Sequence, residues 1–220
     1  MRDQRHRNQD SGRAAVQTLI GRRDLFKLVG GGIVVLFSCG DGCYLEGQES
    51  RGRGYPTDFN AYLRIAEDGR VTVYTGKIEM GQDVVTSLAQ MAADELGVAL
   101  EAIDMVMGDT DRCPFGNGTY GSLSVRVFGP ALRSAAAEAK AVLLTLASEH
   151  LKLPQEQLKV EKGVVFVAAD RSKRVTFSRL AMGQRIARKP DGKAVTKGVA
   201  DFAVMGRPTK RRDAAVKVSG

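Results

Sequence analysis

Tryptophan is absent from the 220 residues, and aromatic side chains make up only 6% of them. So few flat rings argue against a platform on which bases or sugars stack, and with it against a single-stranded nucleic-acid binder. Histidine occurs twice, at His6 and His150, and cysteine three times, at Cys39, Cys43 and Cys113. No Cys-x-x-Cys pair is formed, so zinc, haem-attachment and iron–sulfur spacings are missing, and the chain is expected to carry no iron–sulfur cluster of its own. The apolar run Leu28–Gly40 falls short of the roughly 18 residues needed to cross a bilayer.

What is present is enough to fold. Apolar residues are 43% of a chain long enough for one sizeable domain or two small ones. The net charge of +8 is concentrated at the two ends: Arg2, Arg5, Arg7, Arg13, Arg22, Arg23 and Lys27 near the start, and Arg207, Lys210, Arg211, Arg212 and Lys217 near the finish. Between them both signs are mixed, as on an ordinary solvated surface, so a basic nucleic-acid stripe is not expected.

The first 39 residues read as a leader. Arg22-Arg23, a polar residue, the bulky pair Leu25-Phe26, Lys27 and then the Gly-diluted run "LVGGGIVVLFSCG" resemble a twin-arginine export signal, although the bulky pair is in reverse of its usual order. The alternative is a basic arm followed by a buried helix or strand; Gly30, Gly31 and Gly32 would be expensive inside a core helix. "LFSC" at 36–39 also resembles a lipoprotein cleavage box, against the plainer reading of a Cys at the end of an ordinary signal. The expected location is periplasmic, with membrane association through the leader as an option. Residues 40–56 read as a linker.

The body begins near residue 57. "DFNAYLRIAEDGRVTVYTG" alternates around Glu67-Asp68-Gly69-Arg70 and predicts a hairpin with Tyr62, Ile65, Val71 and Val73 buried. Val84 or Val85, Leu88, Met91, Ala92, Glu95 and Leu96 recur at helical spacing, with Gly97 as the cap. "AIDMVMGD" reads as a short buried strand, and a long Ala-rich helix is expected from about Ala131 to Leu151. "LKVEKGVVFVAA" predicts a second hairpin turning at Lys162-Gly163, and "VTFSRLAMGQRI" a strand leading into a short helix. This order indicates an α+β fold, mixed sheets with packed helices and mainly non-parallel strands.

Two segments could face a ligand. "MGQD", Met80 to Asp83, lies at a helix mouth, where unpaired N–H groups and a partial positive charge await an anion and a Gly permits close approach. "GNGTYGSLS", Gly116 to Ser124, offers three glycines and the hydroxyls of Thr119, Ser122 and Ser124. The plainer alternative is a helix capped by Asp83 and a Gly-Ser turn. An Asp facing the ligand would repel phosphate.

With "GKIEMGQDVVTSLAQMAADELGV", "MGDTDRCPFGNGTYGS" and "GPALRSAAAEAKAVL", in that order over about residues 57–220, the chain resembles the large, molybdopterin-binding subunit of the xanthine dehydrogenase and aldehyde oxidase superfamily. The nearest branch is the isoquinoline 1-oxidoreductase and aldehyde dehydrogenase type. The resemblance implies a molybdenum held by a pterin, usually the cytosine dinucleotide form, and oxidation of an aldehyde or N-heterocycle with oxygen taken from water. It implies cofactor contacts at Gly81 and Gln82 and at Ser122 and Ser124, with Thr119 and Gly121 as neighbouring candidates. It also implies a small [2Fe-2S] partner subunit, with a cytochrome c as a further candidate acceptor. The chain departs from the family's usual form in carrying Asp83 where Gly is common, and family large subunits are several times longer. Residues 57–205 are therefore expected to be the N-terminal part of a molybdopterin-binding domain, and 206–220 the start of a connection to a following domain. The family's catalytic base has no counterpart here: Glu79, Asp109 and Asp111 read as surface or turn residues and Cys113 as a loop residue. Alone the chain is expected to be inactive; the competing reading is a truncated, non-catalytic binding or vestigial module.

Overall fold

A computed structural model describes residues 30–38, 60–116 and 118–220; Arg22 and Arg23, Cys39, and the 40–56 linker lie outside the described residues. Among the described residues eight strands form two sheets. The larger is ordered β4-β3-β2-β1-β8, from β1 (Gly32–Phe37), β2 (Ala61–Ile65), β3 (Val71–Thr75), β4 (Ile103–Met107) and β8 (Arg185–Arg188). The smaller is β5 (Leu158–Glu161), β6 (Val164–Val167) and β7 (Asp170–Thr176), in that order. The α-helices among the described residues are α1 (Val84–Leu96), α2 (Gly129–Leu151) and the short α3 (Phe177–Ala181) and α4 (Ala214–Ser219). The α+β class holds, with antiparallel pairing between β1 and β2, β2 and β3, β5 and β6, and β6 and β7. Parallel pairing joins β1 to β8 and β3 to β4.

The two-residue periodicity of a strand explains the layering. Ile33, Val35 and Phe37 of β1, Ala61, Leu63 and Ile65 of β2, and Val71 and Val73 of β3 all enter one apolar cluster with α1 and α2. Their neighbours Val34, Tyr62 and Tyr74 form a second cluster on the other face. All four side chains expected to be buried in the first hairpin are so. The β5–β6 turn places both Lys162 and Gly163 at positive φ, the backbone of the tight hairpin turns that match strand twist. β4, expected as a buried strand, is the sheet's edge, and only Ile103 in it is fully buried.

The run Leu28–Gly40 contributes an inner strand: β1 lies between β2 and β8, and Ile33, Val34 and Val35 are wholly buried. Gly30 and Gly31 lead into it and Gly32 is its first residue, fitted closely against β2. A Cβ on Gly32, whose φ is +115°, would stand 2.2 Å from the Ile65 carbonyl oxygen, and one on Gly31 would stand 2.5 Å from a Glu67 carboxylate oxygen. Arg64 donates to the Gly31 carbonyl at 3.1 Å. Glycine is required at Gly32, where the close atom is backbone of the adjoining strand β2, whereas the nearest atoms to Gly30 and Gly31 are the movable tips of Arg64 and Glu67.

Gly32→Ala is expected to lower the unfolding free energy by at least about 2 kcal/mol, measured by chemical denaturation. An unchanged midpoint would show that β1 is not part of the cooperative fold.

Candidate functional site

Both candidate segments open helices, and helix packing brings their ends together. Gly129 at the start of α2 lies against Met91, where an added Cβ would be 2.8 Å from the sulfur, and Arg133 of α2 donates to Glu95 at 2.6 Å. Each pair has the same offset in sequence, so α1 and α2 run in the same direction and their N-terminal ends lie on one side of the molecule.

There the two loops are joined backbone to backbone. A Cβ on Gly76 would lie 2.7 Å from the Gly116 nitrogen and 3.1 Å from the Pro114 oxygen. The Ile78 N–H donates to the Thr119 hydroxyl at 2.8 Å, and the buried Lys77 ammonium donates to the Gly118 carbonyl at 2.7 Å. Gly116 was among the second segment's glycines; Gly76, Lys77 and Ile78 are structural members of the site that lay outside both candidate segments. Their signal was a Gly-Lys-Ile step immediately after a strand.

Within the first loop, Gly81 is exposed at φ +105° and a Cβ on it would meet no atom within 4 Å. The Gln82 side chain is folded back: its oxygen accepts from Met80 N–H at 2.6 Å and its nitrogen donates to the Ile78 carbonyl at 3.1 Å. Two of the amide's four bonding capacities remain for a ligand. In the second loop Gly118, Gly121 and Ser122 all have positive φ, and Ser122 is exposed. Ser124, 8% exposed, begins a wide turn in which the Gly129 N–H reaches back five residues to its carbonyl, continuous with α2. Such π-type turns recur at functional sites. Five of the ten exposed large apolar side chains among the described residues, Ile78, Met80, Phe115, Tyr120 and Val125, lie on these two loops.

A family model described as "Molybdopterin cofactor-binding domain" matches residues 13–211. The chain belongs to that molybdopterin-binding family. It is 32% identical to a subunit of the nicotinate dehydrogenase of Pseudomonas putida over 159 residues, which is 72% of this chain and 13% of that protein. It is 36% identical to the carbon monoxide dehydrogenase large chain of Hydrogenophaga pseudoflava over 119 residues, 54% of this chain and 15% of the other. A solved structure of Cu,Mo-CO dehydrogenase superposes with a TM-score of 0.52 at 28% identity, covering 68% of this chain and 18% of that one. The chain therefore spans well under a quarter of the length of these relatives.

The helix mouth of this molybdopterin-binding chain is built differently from its expected form. Asp83 has left-handed backbone (φ 59°) and makes no side-chain cap; its carboxylate instead accepts from the Thr86 hydroxyl at 2.5 Å. The capping is done by Glu79, expected to be a surface or turn residue. Its carboxylate accepts from the N–H groups of Gly81 (2.8 Å), Asp83 (3.0 Å) and Val85 (3.1 Å), and receives Arg211 at 3.2 Å. Burial alone would raise its carboxyl, but the three N–H groups and Arg211 outweigh burial and hold it below the usual glutamate range. Glu79 is fully engaged in structure and is not placed as a base. Asp109 accepts from the N–H groups of Asp111 and Arg112 as a turn residue. Burial pushes the Cys113 thiol up, and it donates to the Val106 carbonyl at 3.3 Å. Among the described residues no group of three His, Cys, Asp or Glu could hold a metal ion.

Residues 197–212 lie along α1 as a strap. The Lys197 N–H donates to Glu95, and the N–H groups of Ala203, Val204 and Met205 donate to Asp94, which also receives the Lys197 ammonium at 3.0 Å. Gln90 donates to the carbonyls of Val204 and Arg207, and the Arg212 N–H donates to Thr86. Thr86, Gln90 and Asp94 recur every four residues, a polar stripe on one helix face. That periodicity was available in the sequence beside the apolar one.

Burial alone would raise the Asp94 carboxyl, but the N–H groups of Met205 and Val204, the Lys197 ammonium and the Ala203 N–H together hold it below the ordinary range. A depressed carboxylate stabilises the fold fully above its unfolded value of about 3.9, and that contribution is lost as pH falls through the lower folded value. Stability is therefore expected to fall on acidification below about pH 4, and Asp94→Asn to flatten that acid limb. Asp94→Ala, which strands three N–H groups and a half-buried ammonium, is expected to cost about 3–5 kcal/mol by denaturant titration.

Proposed function

We propose that this chain forms one wall of the pterin site in the large subunit of a molybdenum hydroxylase, an enzyme oxidising an aldehyde or N-heterocycle with oxygen from water. The observation that carries the reading is the joining of two glycine-rich loops at the same end of two co-directional helices, by Gly76 against Gly116 and Ile78 to Thr119. The residues fit a large, polar, neutral-to-anionic group. Gly81 presents a face with no side chain, its N–H held by Glu79 and its carbonyl by Arg211, Gln82 keeps one N–H and one lone pair, and Ser122 and Ser124 offer hydroxyls at the start of the second helix. Arg126, exposed in the following turn, adds positive charge where the helix end is already positive, which favours the anionic part of a dinucleotide such as the cytosine form. When bound, the cofactor would supply the metal-centred redox chemistry; the chain's own residues bind and orient the pterin and shield it from water.

The exposed apolar side chains on both loops, Ile78, Met80, Phe115, Tyr120 and Val125, form a rim suited to burial under a further part of the large subunit. On this reading the chain alone is inactive, and electrons leave through a separate [2Fe-2S] subunit to an acceptor such as a cytochrome c. Molybdenum and pterin are expected at near-stoichiometric levels when the chain is co-expressed with the remainder of a large subunit. Their absence in that preparation sinks the cradle assignment and leaves a non-catalytic module. Ser122→Gly sharpens the test. Relief of left-handed backbone strain, about 1–2 kcal/mol, roughly offsets the flexibility a glycine adds, so stability should change by no more than about 1 kcal/mol. Pterin retention should nevertheless fall about tenfold through the lost hydroxyl.

Export by the twin-arginine route to the periplasm is a separate part of the proposal, supported by Arg22-Arg23 and the apolar run behind them. A leader removed near Cys39 would take β1 with it, so an exported form keeps the run or refills the space between β2 and β8. Changing Arg22 and Arg23 to Lys should abolish delivery, scored by cell fractionation; unaltered delivery rejects this route.

A further inference from the structure

Arg211 is 130 residues from Gly81 in sequence, yet its guanidinium fork closes the turn that carries Gly81 and Gln82. One terminal nitrogen donates to the Gly81 carbonyl at 2.7 Å and the other to the Glu79 carboxylate at 3.2 Å, while the Nε edge pairs with Asp213. Glu79 in turn holds the N–H groups of Gly81, Asp83 and Val85. The turn is thus gripped from both sides of its peptide groups, the N–H side by Glu79 and the C=O side by Arg211. The grip suits a backbone that would otherwise resist its shape: Gly81 and Asp83 both have positive φ, and Asp83 does so at the energetic cost of a residue with a Cβ.

We infer that Arg211 is a positioning residue for the cofactor-contact turn, so that Gly81 and Gln82 hold their binding geometry only while the end of the strap is seated on α1. The inference rests on the reading of those two residues as pterin contacts. Arg211 is well placed for this role because the strap does not need it for anchorage. Asp94, Glu95, Gln90 and Thr86 hold residues 197–212 independently. Loss of the guanidinium would therefore release the turn and leave the strap docked. A planar, bidentate fork is also what the geometry demands, since the two acceptors are a carbonyl and a carboxylate side by side, and a lysine ammonium could satisfy one without the orientation of the other.

The test is amide hydrogen exchange, resolved by NMR, on the 220-residue chain with no cofactor. In Arg211→Ala the amides of Gly81, Asp83 and Val85 are expected to exchange about tenfold faster or more, with those of β3 and of Leu88–Leu96 unchanged. Arg211→Lys should recover part of that protection, and added guanidinium should recover part of it in the alanine variant, which a generally weakened fold would not show. Unchanged exchange at Gly81, Asp83 and Val85 in Arg211→Ala overturns the inference. So does uniform acceleration along the chain, and if the alanine variant does not fold, the lysine variant decides by the same criterion. Pterin content in the co-expressed preparation separates the two levels. Faster exchange with a several-fold loss of pterin in Arg211→Ala supports both; faster exchange with full pterin keeps the positioning of the turn and overturns its role in cofactor contact.

Discussion

α1 and α2 both enter the common apolar cluster, and small side chains recur along each: Ala89, Ala92 and Ala93 beside Leu88 and Leu96 from one helix, Ala135, Ala136 and Ala139 beside Leu132 and Leu143 from the other, all of them fully buried. Small residues let helix axes approach to the lower end of the usual range of roughly 8–10 Å, and Gly129 against Met91 allows the second helix to start beside the middle of the first. Because the helices also run the same way, the loops that lead into them are forced onto one side. The candidate site is therefore a product of helix packing and sheet order more than of the loops' own sequences. Its glycines make the final approach possible at Gly76 and Gly116, but the packing of Gly129 on Met91 and of Arg133 on Glu95 sets the two helix starts side by side.

α1 has two working faces. Its apolar stripe holds the sheet, and its polar stripe of Thr86, Gln90 and Asp94, extended by Glu95, holds the strap. Asp94 and Glu95 are 1% exposed, and carboxylates so removed from water are tolerable only when every lone pair is matched. Here backbone N–H groups and two cations match them. Such an arrangement contributes more to where the strap lies than to how firmly the whole chain folds, since the desolvation of each carboxylate offsets much of the attraction it gains. The strap is thereby placed to an accuracy set by hydrogen bonds instead of by loose apolar contact.

Much of this was legible in the residues. Both hairpins, α1 with its Gly97 cap, the long α2 and the α+β class follow from local periodicity and turn chemistry, because those elements are stabilised mainly by their own neighbours. β8 was not, and β1 was legible only as the alternative to a leader, for opposite reasons. β1 is apolar on both faces, which is what an inner strand and a leader have in common, and β8 (Arg185–Arg188) is four residues with charge at either end that acquires strand identity only by pairing with β1. The pterin-contact candidates came from family resemblance, and the structure adds how they are held. Glu79 was unreadable from sequence because its partners are the N–H groups of the following turn and an arginine at the far end of the chain. A capping Asp at the helix mouth was the local expectation, but with Asp83 in left-handed backbone its carboxylate faces Thr86 and leaves the N–H groups to Glu79.

The parallel pairing of Gly32 with Arg185 and Val35 with Arg188 carries a consequence in time. During synthesis β1 leaves the ribosome roughly 150 residues ahead of its partner β8, at about 5–20 residues per second a delay on the order of 8–30 s. Antiparallel pairing with β2 becomes available much sooner, so through that interval β1 has one edge bonded and the other open. A strand edge left unpaired for seconds is a target for any factor that binds extended apolar chain. The order in which the sheet closes thus gives the newborn chain a period in which the open edge of β1 is accessible, and completion of β8 brings that period to an end.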